Sequence, residues 1–114
     1  SVPGTWGPIR DLMGPERACT IMYDDPDLVR EILRTTLEDF ERYTAPVIER
    51  VRPDIIQGWE DCCYNHGLLI SPKQFREFCA PYYRRVAQLG RDCGVAMMTV
   101  DCDGHVMELA EILE

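Results

Sequence analysis

Two short apolar runs, each ending in a burst of acids and thiols, constrain this chain more than any other feature. The first, Ile55-Ile56-Gln57-Gly58-Trp59, runs into Glu60-Asp61-Cys62-Cys63. The second, Val95-Ala96-Met97-Met98-Thr99-Val100, runs into Asp101-Cys102-Asp103-Gly104. Runs of this length and apolarity read as strands covered on both faces, which is the habit of parallel sheets. Each polar cluster then occupies the loop that follows a strand and precedes a helix. In parallel α/β folds ligands sit at the carboxyl ends of the strands, where such loops converge. The two clusters are therefore expected to form two walls of one site.

The segments between the runs read as helices. Asp25 is placed to cap a helix, Pro26 suits its first position, and Asp27 suits its dipole. Leu28, Val29, Ile32, Leu33, Leu37, Phe40, Val47, Ile48 and Val51 follow at helical spacing, opposite Arg30, Glu31, Arg34, Glu38, Glu41 and Arg42. Pro46 should kink that helix, and Pro53 should close it. Ser71-Pro72-Lys73-Gln74 is a second start signal. Phe75, Phe78, Cys79, Tyr82, Val86 and Leu89 form the next buried stripe, with a kink expected at Pro81 and stop signals at Gly90 and Gly94. Asp54–Trp59 and Val95–Val100 are the strands, and a last helix is expected from His105 to Leu113. The Gly- and Pro-rich stretch Ser1–Gly14 reads as a strand end followed by a loop carrying Trp6, Arg10 and Asp11. Pro15–Tyr23 reads as a short helix. Alternation of strands and helices calls for parallel strands joined by right-handed crossovers. Three strands leave two open edges, so the chain is expected to be a piece of a larger α/β protein or to pair with a second copy.

Composition removes whole classes of function. The formal charge is −8, from 12 basic and 20 acidic residues. No basic stripe with interleaved aromatics offers a footing for nucleic acid or an anionic membrane. No stretch reaches the roughly 18 apolar residues of a membrane span. Nothing in the sequence suggests secretion, so a cytoplasmic protein is expected. Six cysteines are present, at positions 19, 62, 63, 79, 93 and 102, and none forms a Cys-x-x-Cys pair. Scattered in this way, they read as reduced thiols, with one or two left over as ligands or reactive groups.

Several segments, in order, carry a resemblance: Leu12-Met13-Gly14; Asp24-Asp25-Pro26-Asp27-Leu28-Val29; Trp59-Glu60-Asp61; Ile70-Ser71-Pro72-Lys73-Gln74-Phe75-Arg76-Glu77-Phe78 with Pro81-Tyr82; and Asp101-Cys102-Asp103-Gly104. Together they resemble the uroporphyrinogen decarboxylase superfamily along essentially the whole chain. The resemblance implies a (β/α)8 TIM barrel. Barrels of that class run to about 250 residues, so residues 1–114 would be a central fragment holding about three βα units. It implies an enzyme of one of two kinds. One decarboxylates the acetate arms of uroporphyrinogen, a lyase of porphyrin biosynthesis that needs no cofactor. The other moves methyl groups between methyl-corrinoids and thiols, a methyltransferase using zinc held by a His-x-Cys pair and a later cysteine. A small-molecule substrate, and a corrinoid protein as partner, follow from the second kind.

The sequence departs from both patterns. Asp11 stands where the decarboxylases place a tyrosine, and Asp61 stands where they place a serine or threonine. Both put carboxylates where a polyanionic porphyrinogen would bind, which costs Coulomb energy at short range. Aligned on Gly104, the His-x-Cys positions of the methyltransferases fall on Asp101 and Asp103, with Cys102 between them. Strand alternation would point Asp101 and Asp103 one way and Cys102 the other. The candidate catalytic residues are thus Glu60, Asp61, Asp101 and Asp103. The candidate metal ligands are Asp101, Asp103, Cys102 and His105. Carboxylates alone would suit Mg²⁺ or Ca²⁺, whereas a set recruiting Cys62, Cys63, Cys102, His66 or His105 would suit zinc. Plainer roles compete with these. Glu60 and Asp61 could cap the following turn, Asp101 and Asp103 could form an Asx-turn before Gly104, and His66 could be an exposed loop histidine. Trp59 is expected to pack, and Trp6 could either pack or stack on a flat substrate. Methyl transfer or demethylation is the preferred activity. Porphyrinogen decarboxylation and a non-catalytic, self-associating scaffold are the alternatives.

Overall fold

A computed structural model describes residues 1–114. Its sheet holds two parallel strands, β1 (Ile55–Trp59) and β4 (Met97–Asp101). Their register pairs Ile55 with Met97, Gln57 with Thr99 and Trp59 with Asp101. Val2 makes one parallel bridge to Gly58 on the other edge of β1 and donates its N–H to the Gln57 carbonyl at 2.7 Å. Three neighbouring stretches of chain therefore run the same way, with helices between them. This is the order of consecutive βα units in a (β/α)8 barrel, the α/β class expected from the sequence.

Helix α1 (Trp6–Met13) and helix α2 (Pro15–Asp24) follow the Val2 bridge. Residues 6–13 were expected to be a loop. Pro8 is tolerated because it lies in the first turn, where backbone N–H groups have no helical acceptor. Helix α3 (Pro26–Asp39) starts as expected, with the Asp25 carboxylate accepting from the Leu28 N–H at 3.0 Å. It continues through a π-helical turn at Phe40–Thr44 into α4 (Ala45–Val51). Helix α5 (Pro72–Gln74) opens with a complete capping box between Ser71 and Gln74. A second π-helical turn, Phe75–Cys79, leads into α6 (Ala80–Cys93). Each π turn ends two residues before a proline, Pro46 or Pro81. Proline has no N–H and its ring collides with the carbonyl four residues back, and the wider turn relieves both problems. Gly90 does not stop α6. It is buried where α6 crosses the strand layer, and a β-carbon there would lie 3.6 Å from Ile56. The helix ends at Gly94, whose φ of 74° supplies the left-handed turn.

A short hairpin, β2 (Cys63–Tyr64) and β3 (Gly67–Leu68), closes around Asn65 and His66 between β1 and α5. Helix α7 (Met107–Leu113) ends the chain, starting two residues later than expected.

The even-numbered strand residues face the helices. Ile56 is buried, and Gly58 lies against Tyr83 of α6 and Val2. The core continues through Trp6, Ile9, Val29, Phe40, Phe75, Tyr82, Tyr83 and Val86, all buried. The odd-numbered residues of β1, with Met97 of β4 paired to Ile55, form an open face. Ile55, Trp59 and Met97 are each about half exposed there. The expectation that β1 is covered on both faces is therefore corrected. Its burial alternates, because helices lie on one side only.

Candidate functional site at the strand ends

The rim at the carboxyl ends of β1 and β4 is held by backbone bonds that extend the ladder. The N–H of Glu60 donates to the Asp101 carbonyl at 2.9 Å. Farther out, the N–H of His105 donates to the Tyr64 carbonyl at 2.9 Å. This second bond needs close approach at Gly104, which has φ 84° and whose β-carbon would lie 2.6 Å from that same carbonyl oxygen. The segments following the two strands are thus neighbours, as strand-end logic requires.

Glu60 follows the last residue of β1 and so points to the helix side. Its side chain is fully buried and its carboxylate is saturated. Thr5 donates its backbone N–H at 2.7 Å and its hydroxyl at 2.8 Å. The Trp6 N–H and the Tyr83 hydroxyl donate as well. Two of these donors are backbone N–H groups at the start of α1, so the carboxylate serves as that helix's cap and complements its dipole. Gly4 has no β-carbon because the Trp59 carbonyl occupies the place one would take.

Asp61 has a left-handed backbone, φ 49°. Its carboxylate pairs with Arg10 of α1, whose guanidinium also donates to the Asp61 carbonyl at 3.3 Å and lies 3.4 Å from Asp11. Hydrogen bonding to Asp61 raises the Arg10 pKa above its ordinary value, against the opposing effect of burial. The same guanidinium lies over Trp59, 5.2 Å from the ring centre, and over Trp6 at 5.8 Å. Trp6 itself is fully buried and donates its ring N–H to the Ala18 carbonyl at 3.2 Å. Trp59, expected to pack, is instead 42% exposed on the open sheet face beneath Arg10. The parity of the strand puts it there, beside Asp101.

Asp101, Asp103, His105 and His66 are all exposed. The rim thus brings Asp61, Trp59 and Asp101 to one edge, with Glu60 turned inward. Of the four candidate metal ligands, Asp101, Asp103, Cys102 and His105, only Cys102 belongs to a convergent ligand set. Its partners are Cys62 and Cys63, and the three sulfurs lie within 4.8 Å of one another. The loop after β1, which begins with the left-handed Asp61, brings the sulfurs of Cys62 and Cys63 to Cys102 in the loop after β4. Cys62 and Cys63 are buried and Cys102 is half-buried. Hydrogen bonds from the Cys62 and Cys63 thiols pull the Cys102 thiol down to about 6, in spite of its burial. Cys63 is pushed up to about 12, by burial first and by the Cys102 sulfur second. Cys62 is pushed far up by its bond to Cys102 and by burial. The sequence offers Cys62, Cys63 and Cys102 among the soft ligands of one zinc set, and the structure brings these three together while leaving His66 and His105 outside the group. Cys102 also reaches a cavity of about 540 Å³ on the helix side of β4, whose apolar walls include Met98, Val100, Leu109 and Leu113.

The family model described as uroporphyrinogen decarboxylase (URO-D) matches residues 4–113. The chain belongs to this family. No curated protein and no solved structure matches it. No helix of this family member is long and apolar enough to cross a membrane.

Proposed function

We propose that this chain is the central part of a URO-D family enzyme that transfers or removes a methyl group, with a corrinoid or a thiol as the other reactant. A corrinoid protein would then be its natural partner and a small methylated molecule its substrate. The observation that carries this reading is the charge of the rim. Asp11, Asp61, Asp101 and Asp103 surround the strand ends, while the nearby cation, Arg10, is already engaged by Asp61 and Asp11. A polyanionic porphyrinogen would meet carboxylates without free countercharge. Like charges at about 4 Å cost about 1 kcal/mol in water and about 4 kcal/mol near a protein surface. A methyl-bearing substrate of low charge carries no such penalty.

In this reading Asp101 and Asp103 polarise or orient the substrate at the rim. Asp61 holds Arg10 over Trp59 as a flat, cationic shelf. Glu60 is a positioning residue that fixes α1 against the strand end. The zinc of methyl-transferring relatives does not fit the positions aligned with its His-x-Cys pair. Asp101 and Asp103 are hard, exposed carboxylates with no third ligand beside them, and no step is assigned to a metal there.

The complete barrel should be incubated separately with uroporphyrinogen and with methylcobalamin plus a simple thiol. Thioether formation that falls at least tenfold in Asp103→Ala is the expected result. Coproporphyrinogen formation without methyl transfer would replace this reading with decarboxylation.

A further inference from the structure

The cluster of Cys62, Cys63 and Cys102 has no part in the reaction proposed above. It does not coincide with the aligned carboxylate positions, and it lies on the helix side of the strand ends. Its three sulfurs come from two loops that are tied together. The Leu69 N–H donates to the Cys62 carbonyl at 2.8 Å, anchoring one loop through the hairpin. The Glu60–Asp101 and His105–Tyr64 bonds anchor it to the other loop. The cluster is therefore preorganised, and little chain entropy remains to be lost when a ligand joins the sulfurs.

We propose that Cys62, Cys63 and Cys102 bind one zinc ion as a three-thiolate site with a fourth, exchangeable position. Three Zn–S bonds of about 2.3 Å at tetrahedral angles put the sulfurs about 3.8 Å apart, within reach of a cluster already this close. Softness favours a thiophilic d¹⁰ ion over Mg²⁺ or Ca²⁺. Glu60 and Glu108 add negative potential near the sulfurs, which favours a cation at their centre. On binding, Zn²⁺ displaces the remaining S–H protons to solvent, and no oxidant or reductant takes part. The cavity under Cys102 leaves room for water or a small thiol in the fourth position.

The test is metal content and spectroscopy, independent of turnover. Protein purified with zinc in the medium should retain about one zinc per chain. Exchange for Co²⁺ should give intense near-ultraviolet sulfur-to-cobalt absorption. Cys102→Ser, at the least buried of the three positions, should weaken zinc affinity by at least about 100-fold, beyond the loss typical of outer-shell changes. Asp103→Ala and Cys93→Ser should leave affinity unchanged. Thiol labelling of the native, unaltered protein supplies a readout that needs no variant, since zinc should shield Cys102 from a maleimide. Absence of zinc and of cobalt–sulfur absorption would overturn the site. So would zinc loss in Asp103→Ala with retention in Cys102→Ser, or maleimide labelling of Cys102 that zinc does not slow. Methyl transfer could fail while zinc binding holds, and the reverse, so the two proposals fail separately.

Discussion

Glu60 stands one step beyond β1, and that step turns its carboxylate from the open face to the helix layer. There it accepts from Thr5 twice, from Trp6 and from Tyr83. Removing it leaves several buried donors unpaired, each costing about 1–3 kcal/mol. Glu60→Ala should therefore lower stability by about 3 kcal/mol or more in denaturant unfolding, whereas Asp103→Ala, at an exposed position, should change it by less than about 0.5 kcal/mol. Burial, with the Glu60 charge second, raises the pKa of both Tyr82 and Tyr83. A group whose pKa is raised in the fold keeps its proton longer folded than unfolded. Its contribution is thus complete below the unfolded phenol value of about 10 and is lost as pH rises above it. Alkaline titration followed by phenolate absorbance should find two of the five tyrosines withheld until the chain unfolds. The orientation of Glu60 was legible in principle, because strand parity alone separates it from Trp59 and Asp101. Cys62, Cys63 and Cys102 were legible as soft ligands on neighbouring loops, but not the approach of all three sulfurs, because adjacent side chains ordinarily diverge and Asp61 beside them has a left-handed backbone.

At the scale of elements, capping chemistry and apolar spacing were legible. Asp25 and the Ser71–Gln74 box start their helices where the residue types require. The prolines at 46 and 81 mark distortions, although the sequence does not show that these take the form of π turns. Residues 6–13 were misread because Gly7 and Pro8 look like breakers. In place, Pro8 occupies a first turn, and the helix gains a cap from a residue more than fifty positions away. The small hairpin was also missed, having only two residues in each strand. Its seat against the β4 loop depends on Gly104. Gly104→Ala adds a β-carbon 2.6 Å from the Tyr64 carbonyl oxygen at a positive φ, and it should cost about 2 kcal/mol. Hydrogen exchange of the His105 amide checks this directly, and it should quicken in the variant, whereas unchanged protection would show that the hairpin does not need the close approach.

For the whole molecule, parallel pairing of β1 with β4 is the device that gathers the rim. Alternation of strand and helix made the pairing legible, and the register then places Trp59 beside Asp101. The helix-facing side was legible less well, because β1 looked apolar enough to be covered on both faces while its burial alternates. A shared rim requires residues 59–64 and 99–105 to be neighbours in solution. A trivalent arsenical bridges thiols only a few ångströms apart, and proteolysis followed by mass spectrometry shows which peptides it joins. One product linking the Cys62–Cys63 peptide to the Cys102 peptide is expected in the native protein and not in the denatured one. Bridging of Cys62 to Cys63 alone, with Cys102 reacting separately, would contradict the shared rim.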